Sequence, residues 1–274
     1  MNLIAKLFSP RRWTTVECQY NTNQMQVVLQ REQQDTSASD TTAHTGFPSR
    51  VTRCRVARGR GSYSIKIPEH EIFRLNEIFN EQEYSLPENT TYRTPMTIVD
   101  VGANVGAFAI YGKLLGFCNV IHCFEPAPAS VSLLRENLNS IPGIHIHPCG
   151  LSDHQGRAML RINPHSTGQN SIKFGDDDSE LVEIELRNAA HIFKDLDVDH
   201  IDILKIDTEG CELEILEALR DRYDDIDYIM VEYHSDKDRR EIDALLESLV
   251  IYGSRAIVPN LGVVKYMNRR LISA

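Results

Sequence analysis

The segment that most constrains this chain runs from Thr97 to Tyr111, TIVDVGANVGAFAIY. Thr97, Ile98, Val99 and Val101 form a short β-branched run, the composition of a strand. Gly102 and Gly106 bracket a turn, and an apolar helix-forming stretch follows. Glycine tolerates positive φ and lets a ligand approach a backbone that carries no Cβ. A strand, a glycine turn and a helix N-terminus in that order make a pocket for a nucleotide-like ligand.

The same rhythm continues downstream. Strands are expected over 97–101, 119–125, 144–148, 201–206 and 226–233, with helices over 106–116, 128–140, 210–220 and 236–249. Residues 157–162 and 181–186 read as two extra strands, and short strands near 254–258 and 263–267 finish the chain. Alternating strands and helices predict an α/β fold, a mostly parallel sheet covered on both faces. Upstream, residues 62–67 alternate as a strand should, and Pro68 opens an expected helix over EHEIFRLNEIF. Residues 84–95 read as a loop, and the polar stretch 30–50 as a loop or disordered link. The expected division is an N-terminal extension over 1–61, partly flexible, an accessory strand-helix segment over 62–96, and a main α/β domain over 97–274.

Charge narrows the partners. Net charge is -10, but residues 1–66 hold 10 Lys and Arg against 4 Asp and Glu. The rest of the chain is strongly acidic, which disfavours general nucleic-acid binding. The basic run Arg50 to Arg60 either touches an anionic surface or, on the plainer reading, is a solvated connector. No apolar run approaches the roughly 20 residues of a membrane span. The first residues, MNLIAKLFSPRRW, carry too short an apolar stretch for a secretory signal, so a cytoplasmic location is expected. Six cysteines are scattered without a CxxC pair, which fits a reducing compartment.

The run Gly102-Ala103-Asn104-Val105-Gly106 lacks the G-x-G-x-x-G spacing of a dinucleotide site. Asp100, just before it, would repel a pyrophosphate but attract a sulfonium or an amino group. The pattern therefore favours S-adenosylmethionine over a nicotinamide dinucleotide. Glu125 ends the second strand, 19 residues after Gly106, where a carboxylate can accept ribose hydroxyls; a solvated strand end is the plainer reading. Pro126 and Pro128 stiffen the turn beyond it. Ser152-Asp153 follows the third strand, and Asp153 either binds the adenine amino group or closes an Asx turn. In LKIDTEGCELEIL, Lys205 and Asp207 share a face, and Asp207 sits where open α/β sheets place ligands. Lys205 is also a plain ion-pair partner for Asp207. Thr208 or Glu209 caps the next helix, with Glu212 completing a capping box, and Glu209 otherwise touches substrate. Glu232 and His234 share a face at the end of the fifth strand; His234 is a candidate general base or a structural histidine. His145 with His147, and Asp176 to Asp178, lack convincing metal-ligand spacing, so no metal is expected.

VDVGANVGAFAIY, FEPAPAS, GLSDHQG and LKIDTEGCELEILEA, in that order, closely resemble the FkbM-type S-adenosylmethionine-dependent methyltransferases over about residues 97–234. DILKIDTEG is the specific part. The resemblance implies a Rossmann-like class I methyltransferase fold, with a seven-stranded sheet and an antiparallel last strand. It also implies methyl transfer to hydroxyl oxygens, on a small-molecule, lipid or glycan acceptor, and a loop, Asn163 to Ser171, over the active site. The cofactor would rest on Asp100, Gly102, Ala103, Asn104, Gly106, Glu125, Pro126, Ser152, Asp153 and Asp207. Catalysis would rest on His234, Asp207, Glu209 and Glu232. The rival readings are a nicotinamide-dependent oxidoreductase and a non-catalytic cofactor-binding scaffold.

Overall fold

The computed structural model describes residues 51–58, 61–87, 95–114, 118–163, 170–173 and 180–272. The readings made on residues 30–50, on Asp176 to Asp178 and on the middle of the Asn163–Ser171 loop lie outside those residues.

The first two strands, Val51–Arg58 (β1) and Gly61–Pro68 (β2), pair antiparallel along their whole length. β1 falls where a solvated connector was expected, so that reading is corrected. Cys54 and Val56 are buried while Arg53 and Arg55 between them are exposed, a period-two pattern that the arginines disguise. After Pro68 the expected single helix is broken into a 3₁₀ turn, one α-helical turn, Ile72–Leu75 (α1), and a π turn over Asn76–Asn80. The wider π turn lets Leu75, Ile78 and Phe79 all reach the core.

The main sheet begins at Met96–Val101 (β3), followed by Ala107–Leu114 (α2), Cys118–Phe124 (β4), Pro128–Leu138 (α3) and Ile144–His147 (β5). Three strands then leave it to form a small sheet: Gly150–Ser152 (β6), Gly156–Ile162 (β7) and Glu180–Asn188 (β8). Ile192–Leu196 (α4) leads back to Ile201–Ile206 (β9), Glu212–Ala218 (α5), Ile226–Tyr233 (β10) and Asp236–Leu245 (α6). Val250–Val258 (β11) and Leu261–Met267 (β12) end the sheet. Its order is β11-β12-β10-β9-β3-β4-β5. β4, β5, β9 and β10 run parallel to β3, and β12 runs antiparallel to both of its neighbours. The seven-stranded sheet with an antiparallel last strand is thus present.

Its central strands are buried on both faces, so even Asp202, Lys205, Asp227 and Glu232 within them are buried. Neighbouring residues serve opposite cores. Ile98, Ile203 and Met230 pack with α2 and α3, whereas Val99, Leu204 and Ile229 pack with α5 and α6. Each such aliphatic side chain contributes about 1.5–3 kcal/mol on burial. β2 is fixed to this body by Asn137 of α3. That amide accepts the Lys66 N–H at 2.8 Å and donates to the carbonyls of Lys66 (2.9 Å) and Val105 (2.8 Å).

The chain leaves β3 toward β4 and β5, then crosses back to β9. This reversal opens a crevice at the carboxyl ends of β3 and β9, where ligands bind in sheets of this kind.

Candidate active site

The crevice is walled by the glycine turn after β3, the end of β4, the β6 strand, the loop after β9 and the accessory segment around α1. In the glycine turn, Gly102 has φ +78° and a Cβ there would stand 1.7 Å from the Asp207 carbonyl oxygen. Gly106, at φ +91°, would push a Cβ to 2.7 Å from Leu138 Cδ1. Asn104 is also left-handed, at φ +48°. The Gly102 and Ala103 N–H groups both donate to the Phe124 carbonyl at 3.0 Å, which ties the turn to the end of β4.

Glu125 is buried beside that turn. One carboxylate oxygen accepts the Asn104 N–H and the other the Ala127 N–H, each at 2.9 Å. Burial pushes its carboxyl up to about 7, against the pull of those two hydrogen bonds and of Lys205. Gly102, Ala103, Asn104, Glu125 and Pro126 line the crevice, with Gly150 and Leu151 at its far edge. Gly106 stands behind the turn against α3.

Two expected ligand contacts are placed elsewhere. Asp100 is fully buried under the turn, with its carboxylate 3.1 Å from Lys205 Nζ, so its charge is met by lysine instead of facing the crevice. Asp153 is exposed and pairs with His154 at 2.7 Å, while Ser152 Oγ donates to it at 3.1 Å. At that edge it is the preceding Gly150 and Leu151 that line the crevice.

Lys205 is the hub beneath the site. Its ammonium lies 3.1 Å from Asp100 and 3.4 Å from Asp207, and donates to the Gly102 carbonyl at 2.7 Å. Burial lowers its proton affinity, but the two carboxylates more than restore it, so it stays charged. Asp207 is correspondingly held ionised: Lys205, a hydrogen bond from Glu232 and the charge of Arg74 outweigh its burial.

The loop after β9 resolves the two roles left open for Glu209. Glu212 Oε1 accepts the Thr208 N–H at 2.9 Å and the Thr208 hydroxyl at 3.0 Å, and Thr208 Oγ1 accepts the Cys211 N–H at 3.2 Å. Thr208 and Glu212 therefore close the start of α5, and Glu209 is no cap. It takes φ +57°, a strained value for a non-glycine residue, and lines the crevice. Its carboxylate lies 3.1 Å from His234 Nε2, and Glu232 lies 4.0 Å from the same nitrogen. Burial lowers the His234 proton affinity, but Glu209, Glu212 and Asp207 raise it on balance to about 9. The surrounding carboxylates therefore favour the protonated imidazole.

Two crevice residues escaped the sequence reading. Tyr84, in a stretch read as loop, donates its hydroxyl to Asp207 at 3.3 Å and packs edge-on against Phe108. Arg74 of α1 pairs with buried Glu71 at 2.5 Å and lines the crevice opposite the acidic group. Neither belongs to a local motif, so only the fold reveals them. The flanks of the Asn163–Ser171 loop do reach the site: Asn170 lines the crevice, and Ser171 Oγ donates to the Glu209 carbonyl at 2.6 Å.

The strand order and the crevice at its reversal define a Rossmann-like class I methyltransferase fold. Residues 100–256 match the Methyltransferase FkbM domain, and the chain belongs to that family. It is 28% identical over 199 residues to Methyltransferase 1 of Beauveria bassiana, covering 64% of this chain and 79% of that one. It is 26% identical over 207 residues to the 31-O-demethyl-FK506 methyltransferase FkbM of Streptomyces tacrolimicus, covering 64% and 79%. It is 25% identical over 180 residues to the hexuronic acid methyltransferase AglP of Haloferax volcanii, covering 64% and 72%. Among the described residues no helix is long and apolar enough to cross a membrane.

Proposed function

We propose that this methyltransferase moves the methyl group of S-adenosylmethionine to a hydroxyl oxygen of a small-molecule, lipid or glycan acceptor. The observation that carries the cofactor half is Glu125, buried at the crevice and pinned by two backbone N–H groups. A carboxylate offers about four lone-pair sites, so two are left for the two ribose hydroxyls. The glycine turn beside it admits the rest of the cofactor without side-chain obstruction.

The acceptor half is the wall made by Asp207, Glu209, Tyr84 and Arg74. The sulfonium methyl is already activated, so the protein has to align an in-line attack and exclude water. As the new O–C bond forms, the hydroxyl becomes an oxonium, which is strongly acidic. A weak base then suffices, and the ionised Asp207 carboxylate takes the proton. Names of relatives support an oxygen acceptor: one is described as acting on 31-O-demethyl-FK506 and another on a hexuronic acid.

The test supplies the protein with methyl-labelled S-adenosylmethionine and a panel of polyhydroxylated acceptors. Label in a methyl ether, stable to mild alkali, is expected. Label found only on nitrogen, or in an alkali-labile methyl ester, overturns the hydroxyl assignment. Calorimetry showing no S-adenosylmethionine binding overturns the cofactor.

A further inference from the structure

We infer that Glu209, Glu232 and His234 form a site for a divalent metal ion at the acceptor end of the crevice. The inference rests on the methyl-transfer reading above and deepens it. The three side chains come from the loop after β9 and from the end of β10. Each offers one ligand atom, and these atoms lie within 4.8 Å of one another. Two carboxylates and one imidazole on one side of a point leave further positions open, the donor set of a transition ion that also binds substrate.

A second observation points the same way. Glu232 is only 6% exposed, yet among the described residues its Oε2 has no hydrogen-bond partner, and His234 Nε2 meets only the Glu209 carboxylate, at 3.1 Å. Buried polar atoms are normally satisfied, and an unpartnered carboxylate oxygen beside two further ligand atoms calls for an occupant. The remaining groups in contact are already held: Glu212 by the Thr208 and Gly210 N–H groups, Asp207 by Lys205 and Tyr84. A similar trio, His200, Asp202 and Asp227, lies at the other end of the sheet. Its charge is already met, because the Arg270 guanidinium sits on Asp227 and Asp202 accepts the Thr97 N–H at 2.7 Å. Among the described residues no hydrogen-bond donor serves Glu232 Oε2, and the nearest ring nitrogen of His234 lies 4.0 Å away.

Mixed nitrogen and carboxylate donors suit Mn²⁺, Fe²⁺, Co²⁺ or Zn²⁺ better than Ca²⁺, which takes six to eight oxygens. Glu209 also lines the crevice, so an ion on it reaches the acceptor. There the ion would take the acceptor hydroxyl as a further ligand and lower its pKa. The O–H bond then breaks with its proton passing to Asp207. The oxygen lone pair forms the O–CH₃ bond, and the C–S bond breaks with its pair returning to sulfur, leaving a neutral thioether.

The test titrates the metal-stripped full chain with Mn²⁺, followed by calorimetry and electron paramagnetic resonance, and with Co²⁺, followed by visible absorption. One ion per chain is expected, with nitrogen coupling from a bound imidazole. Glu232→Gln and His234→Asn should each weaken Mn²⁺ binding at least about tenfold, while His200→Asn leaves it unchanged. Should a variant fail to fold, the stoichiometry and nitrogen coupling of the unmodified chain decide alone. No bound Mn²⁺ or Co²⁺, or binding that survives both substitutions, overturns the site. S-adenosylmethionine titrated in parallel separates the two claims. Cofactor binding without metal binding removes only the ion, and metal binding without cofactor binding removes the methyl-transfer reading.

Discussion

Gly102 shows how tightly single residues are specified at this site. Its φ of +78° alone would cost an alanine about 1–2 kcal/mol, and the added methyl would meet a backbone carbonyl. Gly102→Ala should therefore lower stability by more than that and weaken S-adenosylmethionine binding, read by thermal melting and calorimetry. Glu125 makes a prediction of opposite kind. Its folded-state pKa of about 7 stands above the ordinary glutamate value of 4.5 because of burial. The folded chain then binds more protons than the unfolded one between those values, so stability falls as pH rises from about 4.5 to 7. The effect is on the order of 3 kcal/mol. Glu125→Gln should flatten that slope and be the more stable form above pH 7, measured by urea unfolding across the pH range. The same variant should lose the gain in cofactor affinity that the unmodified protein shows as its carboxylate ionises. The strand position of Asp100 was legible but its burial against Lys205 was not, because Lys205 lies 105 residues away.

Elements were legible where a strand is buried on both faces. β9 and β10 match their expected limits because apolar residues predominate in both, despite Asp202 and Lys205 in one and Asp227 and Glu232 in the other. β1 was not, since Arg53 and Arg55 alternate with the buried Cys54 and Val56 and hide them. The break in the segment after Pro68 was equally hidden, for its apolar spacing suits a plain helix until Ile78 and Phe79 must both turn inward. What joins this segment to the main body is Asn137, whose amide stands in for a neighbouring strand along β2. Asn137→Ala leaves one N–H and two carbonyls without that partner. It should cost about 2–4 kcal/mol, with faster hydrogen exchange at the Lys66 amide. Unchanged exchange there would show that the hairpin is held by apolar packing alone.

At the level of the whole molecule, one wall of the crevice comes from outside the matched family region. The main domain supplies Glu125, Asp207 and Glu209, whereas Arg74 and Tyr84 come from the accessory segment. Asp207 and Glu209 were therefore readable from a motif, and Arg74 and Tyr84 were not, because long-range packing brings them to the crevice. The same separation shapes the metal ligands: Glu209 lies in the loop after β9 and Glu232 in β10, so no local spacing joins them. It also gives a test of how the halves depend on each other. β2 owes its outer pairing to β1, which joins it at all eight positions from Val51↔Pro68 to Arg58↔Gly61. A chain beginning at Gly61 would keep the glycine turn, Glu125 and the β9 loop, but expose one edge of β2 and the buried Ile65 and Ile67. We expect it to melt several degrees lower, because burial of Cys54 and Val56 is lost with the strand. Below its melting range it should still bind S-adenosylmethionine. Methyl transfer should fall further than cofactor affinity, since the loosened segment carries Arg74 and Tyr84. Equal losses in binding and turnover would instead mean that β1 supports the main sheet as a whole, and that the acceptor wall has no separate dependence on the hairpin.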